Sequence, residues 1–177
     1  MQVRKVYIMG ISGSGKSTLA QSLAMRLNAV HIELDAIHHQ PQWSAISDAD
    51  FIAALEPRLS ADSWVVDGNY SQVTDFILER ADTVILLDYP RPLVMWRVII
   101  RTLRRGITRQ ELWNGNRESL RNLLSRNPET NIVLWAWTMH NRRHQRNLEI
   151  ERVMRAAGRK VHRFEHPRDT RVWLDSI

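Results

Sequence analysis

The sequence contains no cysteine among its 177 residues. Disulfide bridges and thiolate metal sites are therefore excluded, because both need a cysteine sulfur. Long apolar runs are missing too, since no segment approaches the roughly 18 apolar residues that a membrane-spanning helix needs. No signal-peptide pattern precedes the first apolar run. Together these absences lead us to expect a cytoplasmic protein that has no membrane partner.

Lysine is scarce in the second half of the chain, where Lys160 is the one lysine among 19 basic residues. Residues 91–177 carry a net charge of +11, whereas residues 1–90 carry −5. Arginine binds phosphate well because its planar fork can donate two parallel hydrogen bonds. The composition predicts either an arginine-lined pocket for nucleotide phosphates or a basic surface for nucleic acid. Composition alone does not separate these two possibilities.

A phosphate-binding motif lies near the start of the chain, where residues 10–17 read Gly-Ile-Ser-Gly-Ser-Gly-Lys-Ser. This stretch satisfies the pattern G-x-x-x-x-G-K-[ST], with an apolar run before it and leucines at helical spacing after it. It therefore predicts that the chain binds ATP, with Lys16 reaching the β- and γ-phosphates and the Ser17 hydroxyl binding Mg²⁺. The expected ATP contacts are Gly10, Ser12, Gly13, Ser14, Gly15, Lys16, Ser17 and Thr18.

Five short apolar segments alternate with helical patterns along the chain. They predict an α/β fold in which a parallel sheet carries helices on both faces. The expected strands are residues 3–9, 31–34, 64–66, 83–87 and 160–164. The length suits one domain over residues 1–177.

Local signals predict two helices and the irregular segment that precedes the second of them. Ser47 or Asp48 is expected to cap a helix that runs to about Leu59. A long helix is expected from Asn127-Pro128 to Gly158. Residues 106–127 are polar and contain glycines, so we expect a mobile segment between the helices there.

Acidic residues follow three of the expected strands. Because the carboxyl ends of parallel strands form the ligand crevice of an open α/β sheet, these acids should lie near the phosphate loop. We expect Asp67 to hold Mg²⁺ together with Ser17, while Asp88 is a rival that could instead cap a turn. Asp35 is expected to orient or deprotonate the hydroxyl that receives the phosphate, or to hold water around Mg²⁺. Its alternative role is to cap the following helix.

Arginines recur on the helix that follows the fourth strand, at positions 97, 101, 104 and 105. Phosphoryl transfer needs cationic groups that close over the phosphates, so these arginines predict a lid over ATP. Arg101, Arg105 and Arg142 are the expected catalytic arginines, and Arg104 is expected to contact ATP. The alternative is a solvated helix face.

The expected acceptor-binding residues flank the strand ends. They are Asp35, His38, Trp43, Gly68, Asn69 and Tyr70. Gly68 would let a substrate approach the backbone, and Trp43 would either stack on a base or sugar or pack internally.

Several stretches resemble the adenylate-kinase-related P-loop proteins that are known as DNA topology modulation proteins. Beside the phosphate loop, these are Asp35 to Trp43, Trp64 to Tyr70, Leu87 to Arg91 and the arginine-rich lid. The resemblance implies a nucleoside-monophosphate-kinase-like fold with strand order 2-3-1-4-5. It also implies an acceptor-binding region at about 36–60, a lid at about 104–127, and Arg168 beside the adenine.

The function implied by the resemblance is ATP- and Mg²⁺-dependent phosphorylation of a small acceptor, first of all a nucleotide. However, adenylate kinases proper have Phe-Pro-Arg where this chain has Asn69-Tyr70-Ser71. The arginine that would grip a monophosphate is thus absent, and Asn69 or Arg91 would have to replace it. The region around Asp35 also resembles gluconate- and shikimate-type kinases, which phosphorylate small hydroxyl compounds. An ATP-switched regulator that binds DNA is the alternative from another class.

Replacing Lys16 by alanine tests the phosphate loop. We expect Lys16→Ala to weaken Mg-ATP binding and to lower any ATP turnover by about 10²–10³-fold, because a donor aimed at the phosphates is lost. Isothermal titration with Mg-ATP and an ADP-release assay measure the two effects. Unchanged ATP affinity in a folded variant would contradict the role of the loop.

Overall fold

A five-stranded parallel sheet forms the centre of the protein, in the order β2-β3-β1-β4-β5. The structure is a computed structural model that describes residues 3–118, 120–128 and 130–177. The strands are β1 (Lys5–Gly10), β2 (Val30–Glu33), β3 (Trp64–Asp67), β4 (Thr83–Leu87) and β5 (Lys160–Phe164). The α/β fold and the strand order are therefore confirmed.

Neighbouring strands of the sheet are paired in parallel. Lys5 of β1 pairs with Trp64 of β3, and Thr83 of β4 pairs with Lys160 of β5. Every residue of β3 and β4 is buried, as expected for central strands that helices cover on both faces. All five strands consequently end at the same edge of the sheet, where the phosphate loop begins.

In the part of the chain that the structure describes, seven α-helices connect and cover the strands. They are α1 (Lys16–Leu27), α2 (Leu34–His38), α3 (Asp48–Leu59), α4 (Ser71–Leu78), α5 (Arg91–Thr108), α6 (Ile132–Ala156) and α7 (Pro167–Asp175). The predicted cap of α3 is confirmed, because the Ser47 side chain accepts a hydrogen bond from the Asp50 N–H. The helix that Asp35 was expected to cap as its alternative role is α2, but Asp35 lies within its first turn and Glu33 is at the cap position. Helices α4 and α7 have no counterpart among the sequence predictions.

Two predicted helix boundaries are wrong. Helix α5 continues through Gly106 to Thr108, inside the segment that was expected to be irregular. Helix α6 begins at Ile132, because the Asn131 side chain accepts from the N–H groups of Val133 and Leu134. Position 119, within the expected lid, lies outside the described residues.

The core has two layers because side chains alternate along β1. Tyr7 and Met9 face a cluster that contains Phe51 and Leu55 of α3. Val6 and Ile8 face the opposite cluster, which contains residues of α1 and α5. Helix α5 therefore rests on the same side as the helix that follows the phosphate loop, which brings its arginines close to the nucleotide end of the sheet.

Within the described ranges, no helix has the length and apolar character needed to cross a bilayer.

Shortening Leu55 tests how α3 is anchored to the sheet. The side chain is fully buried, so Leu55→Ala is expected to lower the free energy of unfolding by about 2–5 kcal/mol. Urea denaturation measures the change. Leu103→Ala on α5 is the control, because Leu103 is among the exposed hydrophobic residues and should cost much less. Equal losses in both variants would contradict the packing described here.

Candidate active site

The phosphate loop forms a tight turn between β1 and α1. Gly13 and Gly15 have φ values of +83° and +92°, which favour glycine. A Cβ at Gly13 would lie 2.5 Å from a methyl group of Val98, so α5 packs directly against the loop. Lys16 donates to the Ile11 carbonyl at 3.3 Å. Burial lowers the pKa of Lys16, while the charges of Asp35 and Asp67 oppose that shift.

Asp67 meets Ser17 at the end of β3. The Ser17 hydroxyl donates to Asp67 Oδ2 at 2.6 Å, and the carboxylate is almost completely buried. Oxygen ligands of this kind are those that Mg²⁺ prefers. The two residues therefore fit the Mg²⁺ site predicted for them.

His31 is a partner of Asp67 that sequence reasoning missed. Its Nε2 lies 2.8 Å from Asp67 Oδ1, and this hydrogen bond raises the pKa of His31. His31 stands on β2, next to β3 in the sheet but 36 positions away in sequence. No local pattern points to this contact, because strand order alone brings the two residues together.

Asp88, the rival acid, binds other partners. Its carboxylate accepts hydrogen bonds from Asn147 and Arg163 and lies 2.7 Å from His144 Nδ1. These groups come from α6 and β5, so Asp88 links those two elements at the opposite side of the site from Asp35.

Asp35 is held by Tyr70. The Tyr70 hydroxyl donates to Asp35 Oδ1 at 2.6 Å and lies 3.3 Å from His39 Nε2. Burial and the charge of Asp35 raise the pKa of Tyr70 far above its ordinary value, so the phenol keeps its proton. The predicted neighbours Asp35 and Tyr70 are thus brought together, and His39 joins them.

His38 and Gly68 have surroundings that differ from those expected. The His38 ring packs against the rings of Phe51 and Tyr70, at 5.5 and 4.2 Å between centroids. His39, the next residue, lines the central cavity instead. At Gly68 a Cβ would lie 2.6 Å from Leu34 Cβ, so this glycine permits close packing with α2. The structure therefore places His38 and Gly68 in packing positions beside the pocket, and their contact with an acceptor stays a prediction.

Asn69 ties the end of β3 to the phosphate loop. Its side-chain Nδ2 donates to the Gly10 carbonyl at 2.7 Å, and its Oδ1 accepts from the Gly10 N–H at 3.4 Å. Both polar ends of the amide are thus engaged with backbone. Asn69 lines the cavity but has the geometry of a structural clamp.

Several arginines surround the loop. Arg101 donates to the Ser12 hydroxyl at 2.9 Å, and Arg97 donates to the Ser14 carbonyl at 3.4 Å. Burial lowers the pKa of Arg101, although a guanidinium keeps its charge. Arg105 forms a 2.8 Å ion pair with Glu118, a residue for which the sequence had offered no role.

Three other predicted arginines are exposed. Arg142 is exposed on α6, whereas the neighbouring Arg143 is partly buried and donates to the Asn69 carbonyl at 3.4 Å. Helical spacing did not distinguish these two neighbours. Arg143 is the one that lies against the site, and a catalytic role for Arg142 stays a prediction. Arg104 is exposed beside a second groove on α5, and Arg168 is exposed on α7. Thr18, another predicted ATP contact, is exposed at the start of α1.

Two similar turns meet above the site. We call residues 39–45 the acceptor turn and residues 111–117 the lid turn; each is closed by an antiparallel bridge between its ends. Asn116 accepts from the Trp43 N–H and donates to the Gln40 carbonyl, both at 2.9 Å. The rings of His39 and Trp113 stack with centroids 5.6 Å apart. The lid turn is therefore docked on the acceptor turn.

A cavity of about 550 Å³ lies beneath the two turns. Its lining includes the loop residues Gly10, Ser12 and Lys16 and the carboxylates Asp35 and Glu118. Aromatic side chains form much of the remaining wall: His39, Trp43, Tyr70, Trp113 and Trp135. The phosphate loop consequently shares one enclosure with four of the predicted acceptor-binding residues, namely Asp35, Trp43, Asn69 and Tyr70.

The family follows from a comparison with known proteins. A family model described as an AAA domain matches residues 6–172. The chain belongs to the AAA domain family. Together with the loop and the strand order, this membership identifies a P-loop kinase-like domain, a fold that implies ATP and typically Mg²⁺. No curated protein matches the sequence.

Solved structures similar to this AAA domain include small-molecule kinases. Shikimate kinase from Acinetobacter baumannii, in complex with shikimate, aligns over 99% of this chain and 90% of its own, with a TM-score of 0.55 and 16% identity. Shikimate kinase from Bacteroides thetaiotaomicron aligns over 99% and 96%, with a TM-score of 0.54 and 11% identity. These two support the fold.

A gluconokinase from Sinorhizobium meliloti 1021 is 25% identical, covers 56% of this chain and has a TM-score of 0.42. The match spans 65% of that gluconokinase. The more specific resemblance to DNA topology modulation proteins stays a prediction.

The pKa of His39 provides a pH-dependent test of the site. Burial lowers this pKa below its usual 6.5, with Asp35 opposing the shift. The folded AAA domain therefore binds the proton less well than the unfolded chain, so stability is lost as pH falls below 6.5 towards the folded pKa. We expect the stability of the wild type relative to His39→Gln to decrease between about pH 7.5 and pH 5.

Urea unfolding at each pH measures this difference, and His166→Gln at an exposed histidine controls for the loss of a histidine as such. A difference between wild type and His39→Gln that does not change with pH would contradict the assignment.

Proposed function

We propose that the protein transfers the γ-phosphate of ATP to a hydroxyl group of a small acceptor. One observation supports this most strongly: Lys16 of the phosphate loop and the Asp35 carboxylate line the same cavity. Phosphoryl transfer needs a cation at the phosphates and a group that orients the attacking hydroxyl, and these two residues match those needs.

The nucleotide end would be formed by the loop amides, Lys16 and Arg101. Arg101 already bonds Ser12 of the loop, so its charge lies beside the position of the phosphates. Ser17 and Asp67 would hold Mg²⁺, which neutralises phosphate charge when bound. Asp67 is kept in place by His31 as well as by Ser17.

Asp35 would act on the acceptor. Tyr70 occupies one of its oxygens, which leaves the other oxygen to accept a hydrogen bond from the attacking hydroxyl. As the acceptor oxygen forms its bond to the γ-phosphorus, the bond to the β-phosphate oxygen breaks and ADP leaves. The hydroxyl proton passes to Asp35.

The single domain, the acceptor-binding region at about 36–60 and the lid at about 104–127 belong to this proposal. The docked lid turn supports it, because Asn116 is nearly fully buried between the two turns. Closure of this kind would keep water from the γ-phosphate and so suppress ATP hydrolysis.

A nucleoside monophosphate acceptor, as in adenylate kinases, has less support. Asn69 is engaged with Gly10, and Arg91 pairs with Asn141 while its guanidinium lies over Trp137. Both residues that could replace the missing arginine therefore already have other partners.

ATP-switched binding to DNA is the second candidate. The exposed arginines Arg104, Arg142 and Arg168 and the charge of +11 over residues 91–177 favour it. Binding that neutralises several DNA phosphates would weaken steeply with salt. Negligible affinity for duplex DNA at physiological salt would exclude this candidate.

An ADP-release assay with Mg-ATP tests the kinase proposal. The protein is assayed without acceptor and with hydroxyl compounds, nucleoside monophosphates and duplex DNA. We expect one hydroxyl compound to stimulate ADP release, and Asp35→Asn to lower that stimulated kcat by about 10²–10⁴-fold. Asparagine keeps an oxygen for Tyr70, so ATP binding should change little.

Asp62→Asn, at an exposed acid, is the matched control and should leave the stimulated rate unchanged. Stimulation by duplex DNA alone would favour the regulatory function. A stimulated rate that survives Asp35→Asn would show that Asp35 does not act on the acceptor.

A further inference from the structure

An ion pair closes the lid end of the cavity. Arg105 Nη1 lies 2.8 Å from Glu118 Oε1, and the two side chains are only 18% and 17% exposed. Arg105 belongs to α5 and Glu118 follows the lid turn, so lid docking brings the pair together. Because both groups are largely removed from water, Glu118 neutralises most of the charge that Arg105 would present to a ligand.

The other cations of the cavity lie at the phosphate end. Lys16 belongs to the phosphate loop. Arg101 bonds Ser12 of the same loop, although its charge also acts on Asp35 and Glu118. With ATP bound, both cations would face the phosphates. Among the described residues that line the cavity, the acceptor half therefore has Asp35, a neutral ion pair and aromatic walls. An anionic group there would be desolvated beside a carboxylate, which is costly without a free cation.

Glu118 has hydrogen-bonding capacity to spare. Its Oε2 is buried and has no hydrogen-bond partner in the part of the chain that the structure describes. A buried carboxylate oxygen that lacks a donor is costly, and an incoming donor would remove that cost. The nearby rings of Trp43, Trp113 and Trp135 offer apolar faces to a ligand's C–H groups.

We propose that the acceptor is an uncharged polyhydroxy compound, with one hydroxyl at Asp35 for phosphorylation and a second that donates to Glu118. This inference rests on the proposed function and names the substrate class for the same site. Glu118 would be a specificity-determining residue for two reasons. It supplies a hydrogen-bond acceptor for the second hydroxyl, and it neutralises the charge with which Arg105 would otherwise attract an acidic ligand.

Matched pairs of ligands test the proposal: straight-chain polyols such as D-glucitol, and the aldonic acids of the same configuration such as D-gluconate. Each pair differs only in a terminal hydroxymethyl or carboxylate group. Titration calorimetry measures their binding to the protein that holds Mg²⁺ and a non-hydrolysable ATP analogue. We expect at least one polyol to bind about tenfold or more tightly than its acid, since the acid leaves a buried charge unpaired.

Glu118→Gln is the decisive variant. It frees Arg105 from its partner, so the preference for polyol over acid should fall about tenfold or reverse. The double variant with Arg105→Gln and Glu118→Gln removes both charges, and the gain in acid binding should then disappear. Glu111→Gln is the matched control, because Glu111 forms an exposed pair with Arg117 in the same lid turn. It should leave the preference unchanged.

Tighter binding of the acids by the wild type would overturn the proposal. So would an unchanged preference in Glu118→Gln, or a failure of every polyol to bind. Because binding is measured without turnover, the acceptor class can fail while ATP-dependent transfer stands. Conversely, a polyol preference without ADP release would leave the binding site intact and refute the kinase function.

Discussion

The attachment of the β3 end to the phosphate loop is the constraint on which the rest of the site depends. Ser17 bonds Asp67, and Asn69 bonds both polar groups of the Gly10 backbone. These contacts connect the candidate Mg²⁺ ligands and the loop that carries Lys16. Tyr70 follows directly in the sequence, and its hydroxyl donates a hydrogen bond to Asp35. The nucleotide and acceptor ends are therefore linked through the four consecutive residues 67–70.

Docking of the lid turn supplies the second half of the site. Asn116 bonds backbone groups of the acceptor turn, while Trp113 stacks on His39. Left-handed backbone at Gln42, Trp43 and Asn114 shapes the two turns. The docked arrangement that encloses the cavity also pairs Arg105 with Glu118. Closure and electrostatic selection of the acceptor would therefore be a single event in this fold.

Much of the fold was predictable because its signals are local. The phosphate loop follows from eight consecutive residues, and the cap of α3 follows from Ser47 and the apolar spacing after it. The placement of Asp35 and Asp67 at one sheet edge required only that parallel strands end on the same side. Boundaries were less accurate, as at Gly106 and Asn131, because tertiary packing and a side-chain cap outweighed the local glycine and proline signals.

Sequence alone determined that the protein has a P-loop, a parallel sheet and acids at the strand ends, because each depends on short-range order or simple alternation. Only the tertiary structure decided that His31 supports Asp67 and that Glu118 neutralises Arg105. It also decided that His39 and not His38 lines the cavity, and that Arg143 and not Arg142 contacts Asn69. These outcomes depend on contacts between segments far apart in the chain. Such contacts are set by strand order, helix rotation and the docking of one turn on another, none of which a local pattern encodes.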